Sequence, residues 1–387
     1  MTISRRLFIA YLLLAFLFVI YSYSQVDLNL TLSKNSLYLA FQEQMTYLGY
    51  YLRNWSTLIF VSLSLLLFGT YLLLLKRIVR HKEKIVGIWW KRVLIIGFVF
   101  WLAYPAFSHD VFNYIFNAKI AWVYQRNPHI DVAAYFVHDV WLRFMHNVHT
   151  PAPYAYGWTA LSLIPGIVTI SSKLKLSLWT MKLFIGLFWA GQLWILAKIV
   201  KKYFPKENWR WFLFALSPLV LIETLAVGHN DVVMMFLALT SYWFLLKSKT
   251  FFDKSFFLSL IFLGLSASIK YATIVLLPLW LIKVIKPKFD LPTLVSFLLL
   301  AVIFTRLDQL HSWYLIWAFS FAVLARRRWI VVLFTSLTAG ALLRYAPYLF
   351  YGNWDPPVWM LRNYIWLGIA LILIVLFQRI YGFRKNS

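Results

Sequence analysis

The sequence predicts an all-α fold: a polytopic transmembrane helical protein of about twelve spans, with one large outer loop carrying juxtamembrane helices. Three observations predict it. Apolar residues make up 62% of the 387 residues and charged residues 13%, with a mean hydropathy of +0.72, whereas soluble domains hold roughly half apolar and a quarter charged residues. Apolar runs approaching the ~17–25 residues needed to cross a bilayer recur from one end of the chain to the other. Between them the basic residues fall in short clusters, as they do in cytoplasmic loops.

Twelve segments read as spans: 7–23, 57–75, 93–107, 178–200, 209–227, 231–247, 256–269, 272–286, 291–305, 312–325, 329–343 and 363–380. A thirteenth apolar stretch, 154–171, decides the orientation of everything after it. If it does not cross, the segments 1–6, 76–92, 198–210, 247–254, 283–288, 326–328 and 379–387 are cytoplasmic and hold 26 of the 38 Lys and Arg residues. If it crosses, Lys198, Lys201, Lys202, Lys206, Arg210 and Arg326 to Arg328 land outside, against the positive-inside rule. The stretch is therefore read as re-entrant or juxtamembrane, broken by Pro151, Pro153, Pro165 and Gly166. Residues 1–24 resemble a cleavable signal peptide in their basic start, but their apolar run is long enough for a retained first helix. No fixed-period repeat or long linker divides the chain. The expectation is a single transmembrane domain over 1–387 in the cell membrane, with both termini cytoplasmic and an outer functional loop over 108–177.

The net charge of +25 does not point to nucleic acid, because the basic residues alternate with spans and form no single patch. With no cysteine, the chain has neither disulfides nor thiolate chemistry. Aromatic residues at 20% suit belts at the two membrane interfaces.

This topology sorts the carboxylates. Asp27, Glu43, Asp110, Asp131, Asp139, Glu223, Asp231, Asp308 and Asp355 fall on the outer side, and Glu83, Glu207, Asp253 and Asp290 on the inner side. Carboxylates at the ends of spans are costly unless they serve a function or a partner. The outer loop opens on Ser108, His109 and Asp110, and apolar residues at helical spacing from Val111 to Trp122 predict an amphipathic interfacial helix ended by Asn127-Pro128. A second helix is expected over 131–147. Asp110 is the candidate general base, a carboxylate able to take a proton from an acceptor hydroxyl. The competing reading makes it only a cap for the helix that follows.

Gly228, His229, Asn230 and Asp231 form a tight outer turn, read either as part of a site or as an Asx turn capping the next helix. Glu223 is at membrane depth and is paired provisionally with Lys270. Lys270, Arg306, His311, Arg344 and Arg362 fall near outer helix ends, where they could hold a lipid-linked phosphate or simply snorkel to the interface. His109, His129, His138, His146 and His149 match no metal-ligand spacing. A divalent cation stays open as a cofactor, with no motif to call for one.

Four ordered stretches carry a family resemblance: 108–114 (SHDVFNY) with Asn127-Pro128 behind it, 152–158 (APYAYGW), 228–231 (GHND) and 311–317 (HSWYLIW). Over roughly residues 95–325 the chain resembles the GT-C superfamily of membrane glycosyltransferases, and within it the polyprenol-phosphate-mannose-dependent mannosyltransferases. The resemblance implies that Asp110 is the general base and that His229, Asn230, Asp231, His311, Trp313 and Tyr314 help to form an outer cavity. His109, Tyr114, Asn127, Tyr154 and Tyr156 from the matching stretches, with Lys270 and Arg306, complete the expected substrate-binding set. It further implies transfer of a sugar, mannose first, from a polyprenyl-phosphate donor to a hydroxyl of a glycan, lipid or protein acceptor, with inversion and no covalent intermediate. Two other classes compete: a secondary transporter, which would show internal repeats and a mid-bilayer site, and a lipid-linked glycan ligase, polymerase or flippase. The charged residues cluster at outer helix ends, which favours the transferase.

Overall fold

The computed structural model describes residues 3–305 and 310–381, so Arg306 and Asp308 lie outside the described residues. Within that range the ordered elements are helical and none is a strand. The chain opens with α1 (Ile3–Ser22), a short α2 (Ser36–Thr46), and α3 (Arg53–Arg80), which returns against α1. Next come α4 (Gly87–Trp101), α5 (Asp110–Trp122), α6 (Tyr156–Gly166) and the long α7 (Leu174–Tyr203). A broken pair follows, α8 (Trp209–Ala215) and α9 (Pro218–Leu221), continued by a π-helical turn, Ile222–Val227. The remainder is α10 (Asp231–Leu245), α11 (Lys254–Ile269), α12 (Leu277–Ile285), α13 (Leu291–Phe304), α14 (Leu315–Ala322), α15 (Arg328–Leu343), α16 (Ala346–Tyr351) and α17 (Val358–Tyr381).

Among the described residues, five stretches are long and apolar enough to cross a membrane: Arg5–Gln25, Arg53–Arg80, Leu174–Tyr203, Arg328–Tyr351 and Val358–Leu376. The pair α8–α9, bent by 44°, makes a sixth if it is one span. Large apolar side chains on these helices face outward, among them Leu13, Phe16 and Leu17 on α1, Leu65 and Leu66 on α3, and Leu371 and Ile372 on α17. Such a surface is stable only against lipid.

Other expected spans are shorter than a bilayer. The 15 residues of α10 rise about 22 Å against a hydrocarbon core of about 30 Å. Helices this short are tolerated at membrane depth when protein surrounds them, and α10 is buried along most of its length. Even so, α10, α13 and α15 each run between the same two ends of the bundle. At one end Lys283, Asp290 and Arg326 meet Tyr203 and Ser248 around a small cavity, and at the other Lys270, Thr305 and Arg344 line a large one. Lys283 and Arg326, from two of the basic clusters, thus lie at the end away from the large cavity.

The break between α8 and α9 has a local cause. Pro218 has no N–H to continue the helix, and the carbonyls left behind are taken up across the bundle. Tyr71 Oη donates to Leu213 O at 2.7 Å and Tyr11 Oη to Leu216 O at 2.8 Å. Neighbouring side chains supply what the helix cannot.

The loop after α4 departs from expectation in two respects. The helix expected around 111–122 forms as α5 but does not lie in the interface with a wet face. Val111 to Ile120 are all buried, including Phe112, Phe116, Asn117 and Lys119, because α6 and α7 cover one side while Trp141, Phe144 and Met145 close the other. The second helix, expected over 131–147, is absent. Two 3-10 turns, Ala133–Tyr135 and Val140–Phe144, take its place. Asp139 accounts for this: it accepts from Trp141 N at 2.9 Å and Tyr124 Oη at 2.7 Å and pairs with Lys119 at 2.5 Å, tying the segment down onto α5. Burial pushes the Asp139 carboxyl up, but the bonds from Lys119, Trp141 and Tyr124 outweigh it and hold it below the usual range.

Candidate functional site

The large cavity, about 900 Å³, is lined by the 106–110 and 146–155 segments, the start of the turn after α11, the chain entering α14, and the ends of α15, α16 and α17. It is reached by no single span, so its shape depends on how the segments between helices are pinned.

The segment carrying Asp110 is held at its root. Lys182, fully buried on α7, donates to Trp101 O at 2.8 Å and to Ala103 O. Tyr23 Oη donates to Leu102 O at 2.9 Å, and Ser22 Oγ accepts from Tyr104 N at 2.9 Å. These bonds satisfy the carbonyls that α4 leaves open at its C-terminus. They also fix the take-off of residues 104–110. Ser108 Oγ then accepts from Asp110 N at 3.2 Å. The N-cap position falls on His109, whose side chain makes no cap bond; Asp110 is the first residue of α5, lines the cavity, and has 20% of its side chain exposed.

Beneath Asp110 lies the 228–231 turn. Gly228 has a φ of +90°, a left-handed conformation that disfavours any side chain, and it folds His229, Asn230 and Asp231 inward with no exposed surface. Asp231 does not cap α10. Its carboxylate takes Lys270 Nζ through both oxygens at 2.8 Å and Trp317 Nε1 at 2.5 Å. The provisional pairing of Glu223 with Lys270 is thus corrected: Lys270 belongs to Asp231. Glu223 instead accepts from Tyr345 Oη at 2.9 Å, with its Oε2 3.2 Å from His229 Nδ1. Asn230 N donates to Tyr114 Oη at 3.4 Å, which places Tyr114 behind the site rather than in it.

The walls are aromatic. Trp313 is sandwiched between His229 (3.8 Å between centroids) and His311 (4.2 Å). Tyr154 packs edge-on against Tyr114, and burial, reinforced by Asp110, pushes its phenol well above the usual range. Tyr348 stacks on Trp354 at 4.3 Å. His109 stacks on His146 at 3.9 Å and its Nδ1 lies 3.1 Å from Phe144 O. Burial, then the adjacent His146, pushes His109 down to about 4.

Two sequence-based assignments change here. His311 was grouped with the cations, but burial and the nearby His229, Arg344, Arg362 and Lys270 push it down to about 3, so it is neutral at physiological pH. Lys270 keeps its place at the cavity while its charge is matched by Asp231. Among the described lining residues, the positive charge not matched by Asp231 is therefore on Arg344 and Arg362. Arg344 is 3% exposed; its Nη2 donates to Asn363 Oδ1 at 2.8 Å and its Nε is buried with no hydrogen-bond partner.

Of the residues expected to bind substrate, His109, Tyr154, Lys270, His311, Trp313 and Tyr314 line the cavity with Asp110. His229, Asn230 and Asp231 are fully buried and are not among its lining residues; His229 and Asp231 contact lining residues, His229 facing Asp110 and stacking on Trp313, Asp231 bonding Lys270 and Trp317. Asn127 and Tyr156 are elsewhere: Asn127 Oδ1 accepts from His129 N at 3.0 Å in a local turn, and Tyr156, 64% exposed, stacks on His129. Sequence reasoning missed Asp27, Tyr50, Tyr345, Tyr348 and Trp354 as lining residues; only their outer-end position could have flagged them. Among the described residues no group of three His, Asp or Glu side chains is placed to hold a metal ion.

Residues 20–286, more than two-thirds of the chain, match the family model for the N-terminal domain of alpha-(1->6)-mannopyranosyltransferase. No curated protein and no solved structure matches the chain.

Proposed function

Because the chain belongs to the alpha-(1->6)-mannopyranosyltransferase family, and so is a membrane mannosyltransferase acting between a sugar donor and a glycan acceptor, we propose that its donor is mannose on a polyprenyl phosphate and its catalytic base is Asp110. The observation that carries the reading is the single cavity that holds Asp110 together with Arg344 and Arg362. A lipid phosphate needs positive charge at headgroup depth, and guanidinium groups bind phosphate oxygens through paired N–H donors. Arg344, whose Nε has no hydrogen-bond partner, lines the cavity beside Arg362.

Lys283 and Arg326, from two of the basic clusters, lie at the opposite end, which supports an outward-facing cavity by the positive-inside rule. In this reading the chain makes about a dozen crossings, several by short protein-shielded helices, with both termini cytoplasmic. The 154–171 stretch stays on the outer side as part of the functional loop.

The chemistry runs in one displacement. Asp110 removes the proton from the acceptor hydroxyl, the oxygen attacks C1 of mannose, and the C1–O bond to phosphate breaks, with polyprenyl phosphate leaving on the Arg344 and Arg362 side chains. An inverting enzyme that builds an α-linkage requires a β-linked donor. The Lys270–Asp231–Trp317 cluster fixes the floor, while Tyr154, Trp313 and Tyr314 offer ring faces and polar edges for sugar recognition.

The test is transfer of radiolabelled mannose from polyprenyl phosphate in membranes carrying the wild type or Asp110→Asn, with folding checked by detergent-extracted size profile. A well-folded Asp110→Asn should lose about a thousand-fold in rate, the scale of general-base catalysis. Equal transfer by the two proteins would remove Asp110 from the mechanism.

A further inference from the structure

Behind Asp110 the fold has built a second, buried pair of groups. His229 has no exposed surface, and its ring is fixed on three sides. Trp313 covers one face at 3.8 Å, the left-handed Gly228 sets the backbone, and Nδ1 lies 3.1 Å from the carbonyl oxygen of Glu223. A carbonyl can only accept, so Nδ1 carries the hydrogen and Nε2 carries the lone pair. That Nε2 is buried, has no hydrogen-bond partner, and faces Asp110 Oδ2 at 3.9 Å. This is about 1 Å beyond a charge-assisted hydrogen bond, a gap that one rotation of the Asp110 side chain can close.

Glu223 is equally enclosed. Its Oε1 accepts from Tyr345, but Oε2 has no hydrogen-bond partner and sits 3.2 Å from His229 Nδ1, outside the angle for a bond already directed at the carbonyl. Two buried atoms thus flank one imidazole, each lacking a partner while the ring is neutral. Both gain one when the ring is protonated: Nε2–H meets Asp110, and the ring's positive charge meets Oε2. The electron-rich face of Trp313 adds a further attraction for that cation.

We propose that His229 receives the proton that Asp110 takes from the acceptor hydroxyl, and that Glu223 is the positioning residue that holds the resulting imidazolium. The proposal rests on the reading of Asp110 as base. The proton moves from acceptor oxygen to Asp110 as the new C1–O bond forms and the bond to phosphate breaks. It then moves from Asp110 to His229 Nε2, regenerating the carboxylate, and leaves to water when products depart. The leaving phosphate departs as the anion and needs no proton from the relay.

The charged and titratable groups around His229 come from several elements: Asp110 on α5, Glu223 on the π-helical turn, the Asp231–Lys270 pair, Tyr114 and Tyr154 from the loop side, and His311, Arg344 and Tyr345 from the C-terminal side. Of these carboxylates, Asp231 is bound to Lys270 and Trp317, which leaves Glu223 as the counter-ion in direct contact with the ring.

The experiment is a pH–rate profile of mannosyl transfer for wild type, Glu223→Gln, Glu223→Asp and His229→Gln, each checked for size profile and thermal midpoint. The relay works only while His229 starts neutral, so the wild-type rate falls on the acid side. Glu223→Gln keeps an acceptor for Tyr345 but removes the charge that favours imidazolium. It should lower kcat roughly ten- to hundred-fold, the scale of proton-transfer catalysis, with donor KM unchanged. Its acid limb should move about one pH unit lower, the effect of losing one adjacent charge. Glu223→Asp should recover part of kcat, and the double variant with His229→Gln should lose little more than either single change. A Glu223→Gln enzyme with the wild-type kcat, or with a reduced rate but an unmoved acid limb, overturns the proposal. Loss of activity in Asp110→Asn alongside either result would leave the base assignment standing, whereas an active Asp110→Asn would remove both.

Discussion

The family-matched residues 20–286 and the residues that follow them meet at one cavity with opposite endowments. The first part brings Asp27 and Asp110 to the lining and Glu223, His229 and Asp231 to the buried layer behind it, and its described cation there, Lys270, is matched by Asp231. The later part brings Arg344 and Arg362, together with Trp313, Tyr345, Tyr348 and Trp354, and no carboxylate among the described lining residues. Groups suited to moving a proton are on one part, and groups suited to holding a phosphate and a sugar ring are on the other. If that division is real, substitutions in the two parts should affect different kinetic constants.

The largest separation should come from Asp110→Asn, which removes the proton acceptor and is expected to cost about a thousand-fold in kcat. Next is the double variant Arg344→Gln with Arg362→Gln. Charge-assisted hydrogen bonds contribute about 1.5–3 kcal/mol each, so losing two at the low end of that range should raise donor KM on the order of a hundred-fold, with a smaller fall in kcat. Transfer measured over a range of donor concentrations gives both constants. A fall in kcat at unchanged KM would break the comparison, because it would place the arginines with the proton chemistry. The single variant Arg344→Lys should fall between, since an ammonium keeps the charge but not the paired donors.

How much of this was legible beforehand follows the physics of each residue. The membrane class was readable from the apolar runs, and 108–110, 228–231 and 311–317 stood out because charged and turn residues are conspicuous against an apolar background; the structure brings 108–110 and 311–314 to the cavity. The partners were not. Glu223 and Lys270 are both at outer helix ends, and nothing in the spacing says that a π-helical turn aims Glu223 at Tyr345 while Lys270 reaches Asp231. Periodicity found α5 but not its burial, because what covers its second face is irregular chain at 136–145 without a period of its own. His311 read as a cation for want of knowing that it stacks on Trp313 and is partly buried. The lining residues Tyr348 and Trp354 carried no signal beyond being aromatic near a membrane surface, where such residues are common.

Burial of histidines at the cavity gives a smaller, thermodynamic test. His109 is pushed down to about 4 and His311 to about 3, and His146 is also lowered. Below about 6.5 the unfolded chain binds protons at these positions that the folded chain refuses, so stability rises with pH between about 4 and 6.5 and is lost as pH falls through that window. The thermal midpoint in detergent should therefore drop on acidification from pH 6.5 to 4. His311→Gln should flatten the slope. An unchanged slope would mean that the pocket around Trp313 is wet, and that His311 belongs with the cations after all.

The smallest effect should come from the packing that sets the distance between the two arginines. Arg344 ends α15 and Arg362 lies near the start of α17, and these helices cross at Gly340, where a methyl group would stand 2.3 Å from Trp366 O. Backbone carbonyl cannot yield as a flexible side chain can, so Gly340→Ala must push the helices apart. Glycine at such crossings permits the close approach on which helix association in membranes depends. The overpacking cost is about 1–3 kcal/mol, which should lower the thermal midpoint by several degrees. If the arginines grip the donor as a pair, the same change should raise donor KM a few-fold while kcat and the acid limb of the pH profile stay as in the wild type. A shift in kcat instead would show that the spacing of α15 and α17 reaches Glu223 through Tyr345, and so that the binding part and the proton-moving part are mechanically one.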